Sequence, residues 1–145
     1  YVLVNETGAY RVTRLWLKGP RAGERDIFID NLPGFPDNIS FDAANGVFWL
    51  ALYGPRNAIM DATSDRPFWR KVIYRMPESL HPMPAHQAFV LGLDTGGRVV
   101  ANLQHHGDEA FGPITSAERA GDHLYFGSLS APSLARMPIA DALSN

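Results

Sequence analysis

The sequence contains no cysteine, which excludes a disulfide framework and a thiolate zinc site while leaving the compartment open. An excess of charge of one sign is also missing. Thirteen basic residues stand against 15 acidic ones, mixed along the chain, for a formal charge of −2. That balance leaves no electrostatic footprint for a phosphate backbone, so nucleic acid is not an expected partner. No apolar run approaches the roughly 18 residues of a membrane-spanning helix. The opening Tyr1-Val2-Leu3-Val4 is strand-like and follows no charged leader segment. A chain that opens inside an apolar strand without Met reads as cut from something longer, with any signal or membrane anchor lying upstream. What the sequence does have is 46% hydrophobic and 11% aromatic residues with 13 Gly and 11 Pro. This composition fits strands and turns better than a helical bundle, and the expected fold class is all-β.

Strand-like segments recur along the chain. Tyr1 to Asn5 is a short apolar strand, and Tyr10 to Leu17 alternates with Tyr10, Val12, Arg14 and Trp16 on one face. Asp26 to Asp30 is a third strand. A second unit runs Asp37 to Asp42, turns at Ala43-Ala44-Asn45-Gly46 and continues Val47 to Leu52; Asn-Gly is a strong hairpin signal because both residues tolerate positive φ. Residues 54–84 read as an insertion, with a helix start at Ser64 or Asp65 and two turns over Phe68 to Arg75. Strands resume over Ala88 to Asp94 and Arg98 to Leu103. A third unit repeats the second: Thr115-Ser116-Ala117-Glu118 followed by His123 to Gly127 echoes Ile39-Ser40-Phe41-Asp42 followed by Val47 to Ala51.

A repeated four-stranded antiparallel unit is the mark of propeller blades; a β-sandwich of hairpins is the alternative. The count gives the end of one blade (1–31), one complete blade (37–104) and the start of another (114–139), about two and a half blades in all. Such a set closes no ring. It should leave apolar flanks uncovered at Trp16, Phe48, Trp49 and Tyr125, to be met by the remaining blades or another copy.

The stretch Tyr10 to Pro20, the string Leu32-Pro33-Gly34-Phe35-Pro36-Asp37-Asn38-Ile39, Ser64 to Trp69 and Leu124 to Leu129 resemble the strictosidine-synthase-like family, in particular its adipocyte plasma membrane-associated branch. The resemblance runs along nearly the whole chain. It implies a six-bladed propeller with a divalent metal in its central channel, of which this chain would be roughly the C-terminal two-fifths. It also implies a secreted, periplasmic or membrane-anchored setting. The related paraoxonases and gluconolactonases hydrolyse esters and lactones around calcium. The plant founder of the family performs an alkaloid-forming condensation with a glutamate that aligns with Thr115. With Thr there, the group for that condensation's proton transfers is missing.

Blade connectivity places Glu6, Asp37, Asn38, Tyr53, the loop from His105 to Glu109 and Thr115 on one rim. A carboxylate beside a carboxamide at the channel end of an innermost strand offers a hard cation two kinds of oxygen. The resemblance assigns Asp37 and Asn38 as calcium ligands; on turn chemistry alone they would form an Asx turn. Glu6 and Tyr53 would line the pocket rim, with a solvated turn carboxylate as the alternative for Glu6. Tyr53 occupies the place of a paraoxonase pocket histidine. Thr115 would shape the catalytic pocket, and His105, beside His106, is a candidate general base or a solvated loop residue. His81, His86 and His123 read as structural, and no spaced Cys/His pattern supports zinc. The sequons Asn5-Glu6-Thr7 and Asn38-Ile39-Ser40 are short enough to arise by chance. The resulting expectation is a calcium-dependent hydrolase of a small ester or lactone. A non-catalytic binding propeller is the competing expectation, and the condensation is a more distant third.

Overall fold

The computed structural model describes residues 1–57, 61–62, 68, 71, 75 and 87–144. The expected insertion over 54–84 lies mostly outside them, as do its capping residues Ser64 and Asp65 and the histidines His81 and His86. Three antiparallel sheets follow one another along the chain. The first is β1 (Val2–Glu6), β2 (Arg11–Leu15) and β3 (Arg25–Ile29). The second is β4 (Gly34–Asp42), β5 (Val47–Pro55), β6 (Gln87–Leu93) and β7 (Val99–His106), paired in chain order. The third is β8 (Ile114–Ala120), β9 (His123–Ser128) and β10 (Ala135–Pro138), closed by a short helix, α1 (Ile139–Leu143). The chain is all-β, built as successive propeller blades, one of them with all four strands.

Strand alternation explains why the middle sheet sits between the other two. On β5, Val47, Trp49 and Ala51 join Val90, Ala117, Leu124 and Phe126 in one core. The intervening Leu50 and Leu52 join Val12, Phe28, Phe89 and Leu91 in another. Both faces of the middle sheet are therefore apolar, as a strand period of two requires of a sheet covered on both sides. Trp49 is fully buried. It lies directly across from Gly92, where a Cβ would stand 3.0 Å from the indole and 2.9 Å from Ala101. Gly92 is thus the recess that admits the ring.

This overturns the expectation that Trp49 would be an uncovered flank, because the third sheet covers it within the chain. Phe48, Trp16 and Tyr125 are half-buried. Trp16 is covered by Tyr1, with ring centroids 5.3 Å apart, and by the Arg14 guanidinium 4.6 Å over its ring. Arg14 is held there by a two-pronged bond to Asp26 at 2.7 and 3.0 Å. Exposed apolar side chains lie instead at Val2, Val4, Ile27 and Phe41.

The turn after β4 also differs in mechanism from the expected Asn-Gly hairpin. Only Gly46 takes positive φ, at 67°, and its N–H closes the turn onto Asp42 O at 2.8 Å. Asn45 acts instead through its side chain, donating to Asp42 Oδ2 at 2.7 Å. The corresponding turn after β8 is two residues shorter, since Asp42 pairs with Val47 but Ala120 with His123. Structural equivalence therefore sets Ile39 against Ala117, two places beyond the Thr115 match suggested by the sequence echo.

Candidate functional site

The two innermost strands carry the same local irregularity. On β4, Pro36 pairs with Leu52 and Ile39 with Leu50, so three steps oppose two and the strand bulges at Asp37 and Asn38. On β8, Ile114 pairs with Ser128 and Ser116 with Gly127, which puts the bulge at Thr115. A β-bulge frees backbone groups from the ladder and re-aims side chains. Here the freed groups meet across the blade boundary: Asn38 Nδ2 donates to Thr115 O at 2.7 Å.

That bond begins a seam. Two residues on, Ser40 Oγ donates to Ala117 O at 2.6 Å; two further, Arg119 Nη1 donates to Asp42 Oδ1 at 2.8 Å. The sequence separation is 77 residues in all three, so β4 and β8 run parallel and in step. Every second residue of β4 faces β8, as alternation demands.

The bond to Thr115 O also fixes the carboxamide of Asn38. A backbone carbonyl accepts only a donor, so the nitrogen end faces Thr115 and the oxygen end turns the other way. Asn38 is exposed, and among the described residues its Oδ1 accepts no hydrogen bond. Asp37 is half-buried. Its carboxylate meets no cationic side chain among the described residues, and burial pushes its pKa up. Asp37 Oδ1 accepts one long bond, 3.4 Å, from the neighbouring Asn38 Nδ2, so the Asp37 carboxylate and Asn38 Oδ1 form a ledge of oxygens with no cationic partner among the described residues. That donor set fits a hard cation taking oxygen ligands. Among the described residues no group of three or more His, Cys, Asp or Glu side chains converges on a point, so this chain offers a pair rather than a cage.

The other residues singled out from the sequence are placed as follows. Thr115 is buried, and its hydroxyl donates back to Gly127 O at 3.3 Å, so its backbone oxygen is the part that meets Asn38. Glu6 is bonded by Arg11 Nη2 at 2.8 Å and by the Thr13 hydroxyl. These bonds, Arg11 first, hold its carboxyl below the usual range. Tyr53 is half-buried on β5, next to Leu52, the partner of Pro36. His105 is exposed on β7, paired with Ala88. Three strand spacings, roughly 14 Å, separate β7 from β4. His105 lines a different cavity, of about 480 Å³, with Val90, Leu103, Phe111, Phe126 and Met137. His123 begins β9, at the opposite end of the seam.

Sequence reasoning missed Asn5. Its Nδ2 donates to Asp37 O, and two residues later Thr7 Oγ1 donates to Pro36 O at 2.8 Å. Alternation along β1 was the available signal for Asn5, which it sets on the face opposite Glu6; Thr7 opens the 3-10 turn Thr7–Ala9 that follows the strand. The amide nitrogens of Asn5 and Asn38, to which a glycan would attach, are both taken up in hydrogen bonds. The turn between β1 and β2 is anchored by Tyr10, at φ 52°. Its buried ring lies 4.8 Å from Phe35 and under the Arg56 guanidinium at 4.4 Å, and burial pushes its hydroxyl up to about 12.

No family model matches the chain. Individual proteins do. Adipocyte plasma membrane-associated protein of Bos taurus is 32% identical over 94% of this chain and 34% of its own length. Strictosidine synthase-like 10 of Arabidopsis thaliana is 33% identical over 92% of this chain and 37% of its own length. The human adipocyte plasma membrane-associated protein is 29% identical over 96% of this chain and 35% of its own length. The chain thus spans about a third of the length of the curated relatives it matches.

Proposed function

Because the chain belongs to the strictosidine-synthase-like family along nearly its whole length, we propose that its full-length form is a calcium-dependent hydrolase of small esters or lactones on a six-bladed propeller. The observation that supports this most is the oxygen ledge at the β4 bulge, with Asp37 desolvated and lacking a cationic partner among the described residues and Asn38 turned oxygen-outward. Asp37 and Asn38 would hold the ion. When bound, calcium would supply Lewis-acid polarisation of an ester carbonyl and stabilise the oxyanion.

The chain's own residues position. Thr115 O fixes the Asn38 carboxamide, partial burial desolvates the Asp37 carboxylate, and the first-sheet turn borders the ledge through Thr7 on Pro36 O. His105, three strands away and facing another cavity, is given no part in proton transfer. The alkaloid-forming condensation is disfavoured because Thr115 is no acid or base, and its hydroxyl is turned to Gly127 O.

The test is hydrolysis of phenyl acetate by the full-length protein, with and without a calcium chelator. Turnover that stops on chelation and returns with calcium is the expected result. Turnover insensitive to chelation would remove the metal from the mechanism. Calcium binding without turnover of aryl esters or lactones would make the protein a binding propeller instead.

A further inference from the structure

We infer that Asn5 and Thr7 are positioning residues for the cation ledge, using side-chain donors to hold two successive backbone carbonyls of β4 where its bulge begins. This rests on the calcium reading above. Between the Pro36–Leu52 and Ile39–Leu50 pairs, β4 has one residue more than β5, so the ladder is interrupted there. A carbonyl without a ladder partner is met by water or by a side chain. Here both are met by side chains from the preceding blade: Asn5 on Asp37 O and Thr7 on Pro36 O.

Together with the bond from Asn38 to Thr115 O, the bulge is tied from both neighbouring sheets. The blade before it holds the main chain, and the blade after it holds the ligand amide. The Asn5 side chain has a definite polarity in this arrangement. Its oxygen is buried without a partner, so its nitrogen, bonded to Asp37 O, is the end that acts. Glu6, between the two donors, is occupied with Arg11 and Thr13 on the opposite face and does not share the task.

A ligand pair held in place before the ion arrives binds with a smaller ordering cost than a pair that must be organised by it. Residues that orient metal ligands without touching the metal alter affinity by about 10- to 100-fold when removed. Asn5→Ala should accordingly weaken calcium binding by about 10-fold, and Thr7→Val by less, because one hydroxyl donor is lost and the Asp37 contact stays.

The experiment is a calorimetric calcium titration of the full-length protein and of both variants, beside thermal melts in excess chelator. The expected result is a raised Kd in Asn5→Ala, a smaller rise in Thr7→Val, and chelator melts that fall far less than melts in calcium. Unchanged Kd values with lowered chelator melts would make both residues purely structural and overturn the inference, leaving the calcium reading intact. A wild-type protein that binds no calcium would overturn both. Should Asn5→Ala fail to fold, Thr7→Val decides: an unchanged Kd there overturns the inference, and a raised one supports it.

Discussion

Two aspartates on one strand have opposite fates. Asp42 is the more buried, its side chain only 2% exposed. Yet its carboxyl is held below the usual range: burial pushes it up, and hydrogen bonds from Asn45 and Arg119 more than reverse this. Its oxygens accept from Ala44 N, Asn45 N, Asn45 Nδ2 and Arg119 Nη1. Asp37 is less buried and meets only the Asn38 amide, at 3.4 Å, and burial pushes it up. Both lie on β4 beside β8, but the regular end of the seam compensates its charge and the bulged end does not. An uncompensated carboxylate is destabilising unless something else binds it. The difference separates the end that knits blades together from the end poised for a ligand.

The largest expected effect lies at the knitted end. Asp42→Ala leaves Arg119 without its partner and the turn without its cap, and should destabilise the full-length protein by about 3 kcal/mol, measured by urea titration. Calcium affinity should hardly move; a large loss of affinity would mean that the two ends are not separable. Next is Asn38→Ala. In excess chelator it should cost about 1 kcal/mol, one neutral hydrogen bond. In calcium its melting temperature should fall much further, since a metal bound only by the folded state stabilises by mass action. Equal deficits in the two buffers would return Asn38 to a turn role.

Asp37→Asn should do the reverse of most substitutions: raise the melting temperature in chelator near neutral pH while weakening calcium binding. The sign follows from linkage. With its folded pKa raised, Asp37 binds its proton more tightly in the folded state, so its contribution worsens as pH rises from the ordinary carboxylate range through the raised value. Asp42, with its folded pKa lowered, contributes stability above the ordinary range that is lost as pH falls through the folded value. Melts of the chelated wild type and Asp37→Asn between about pH 4 and 7 should converge at the acid end. Divergence there would mean that Asp37 is compensated after all. The smallest effect is expected at mid-seam, where Ser40→Ala should cost about 0.5–1 kcal/mol and leave affinity unchanged. A larger loss would show the seam acting as one cooperative unit.

Much of this was legible in the chain. Alternation and turn residues marked the strands, and the Pro-Gly-Phe-Pro-Asp-Asn string led to Asp37 and Asn38. The bulges were not legible, because register is a relation between strands: nothing within Pro36 to Ile39 says that Leu52 and Leu50 will be the partners. For the same reason the sequence points to Glu6, a carboxylate in a turn at the rim, while Asn5 is the side chain that reaches Asp37 O. Trp49 was misjudged as a flank because its cover, Leu124 and Phe126, comes from a sheet more than 70 positions further on. The four-residue turn at Gly46 was visible, but that Asn45 would serve through its amide depended on Asp42.

The double-sided burial of β5 has a consequence for how the molecule opens. Trp49, Leu50, Ala51 and Leu52 are all fully buried, and they alternate between two cores. Their amides can meet solvent only when the first and third sheets both release the middle one. Amide hydrogen exchange along this run should therefore be slow and near uniform, reporting the global unfolding free energy. The amides of Asp37 and Asn38, outside the ladder, should exchange through small local fluctuations. Adding calcium would then slow exchange at the ledge by much more than the shift in global stability accounts for, and a rise confined to β5 would place the ion's grip on the core instead.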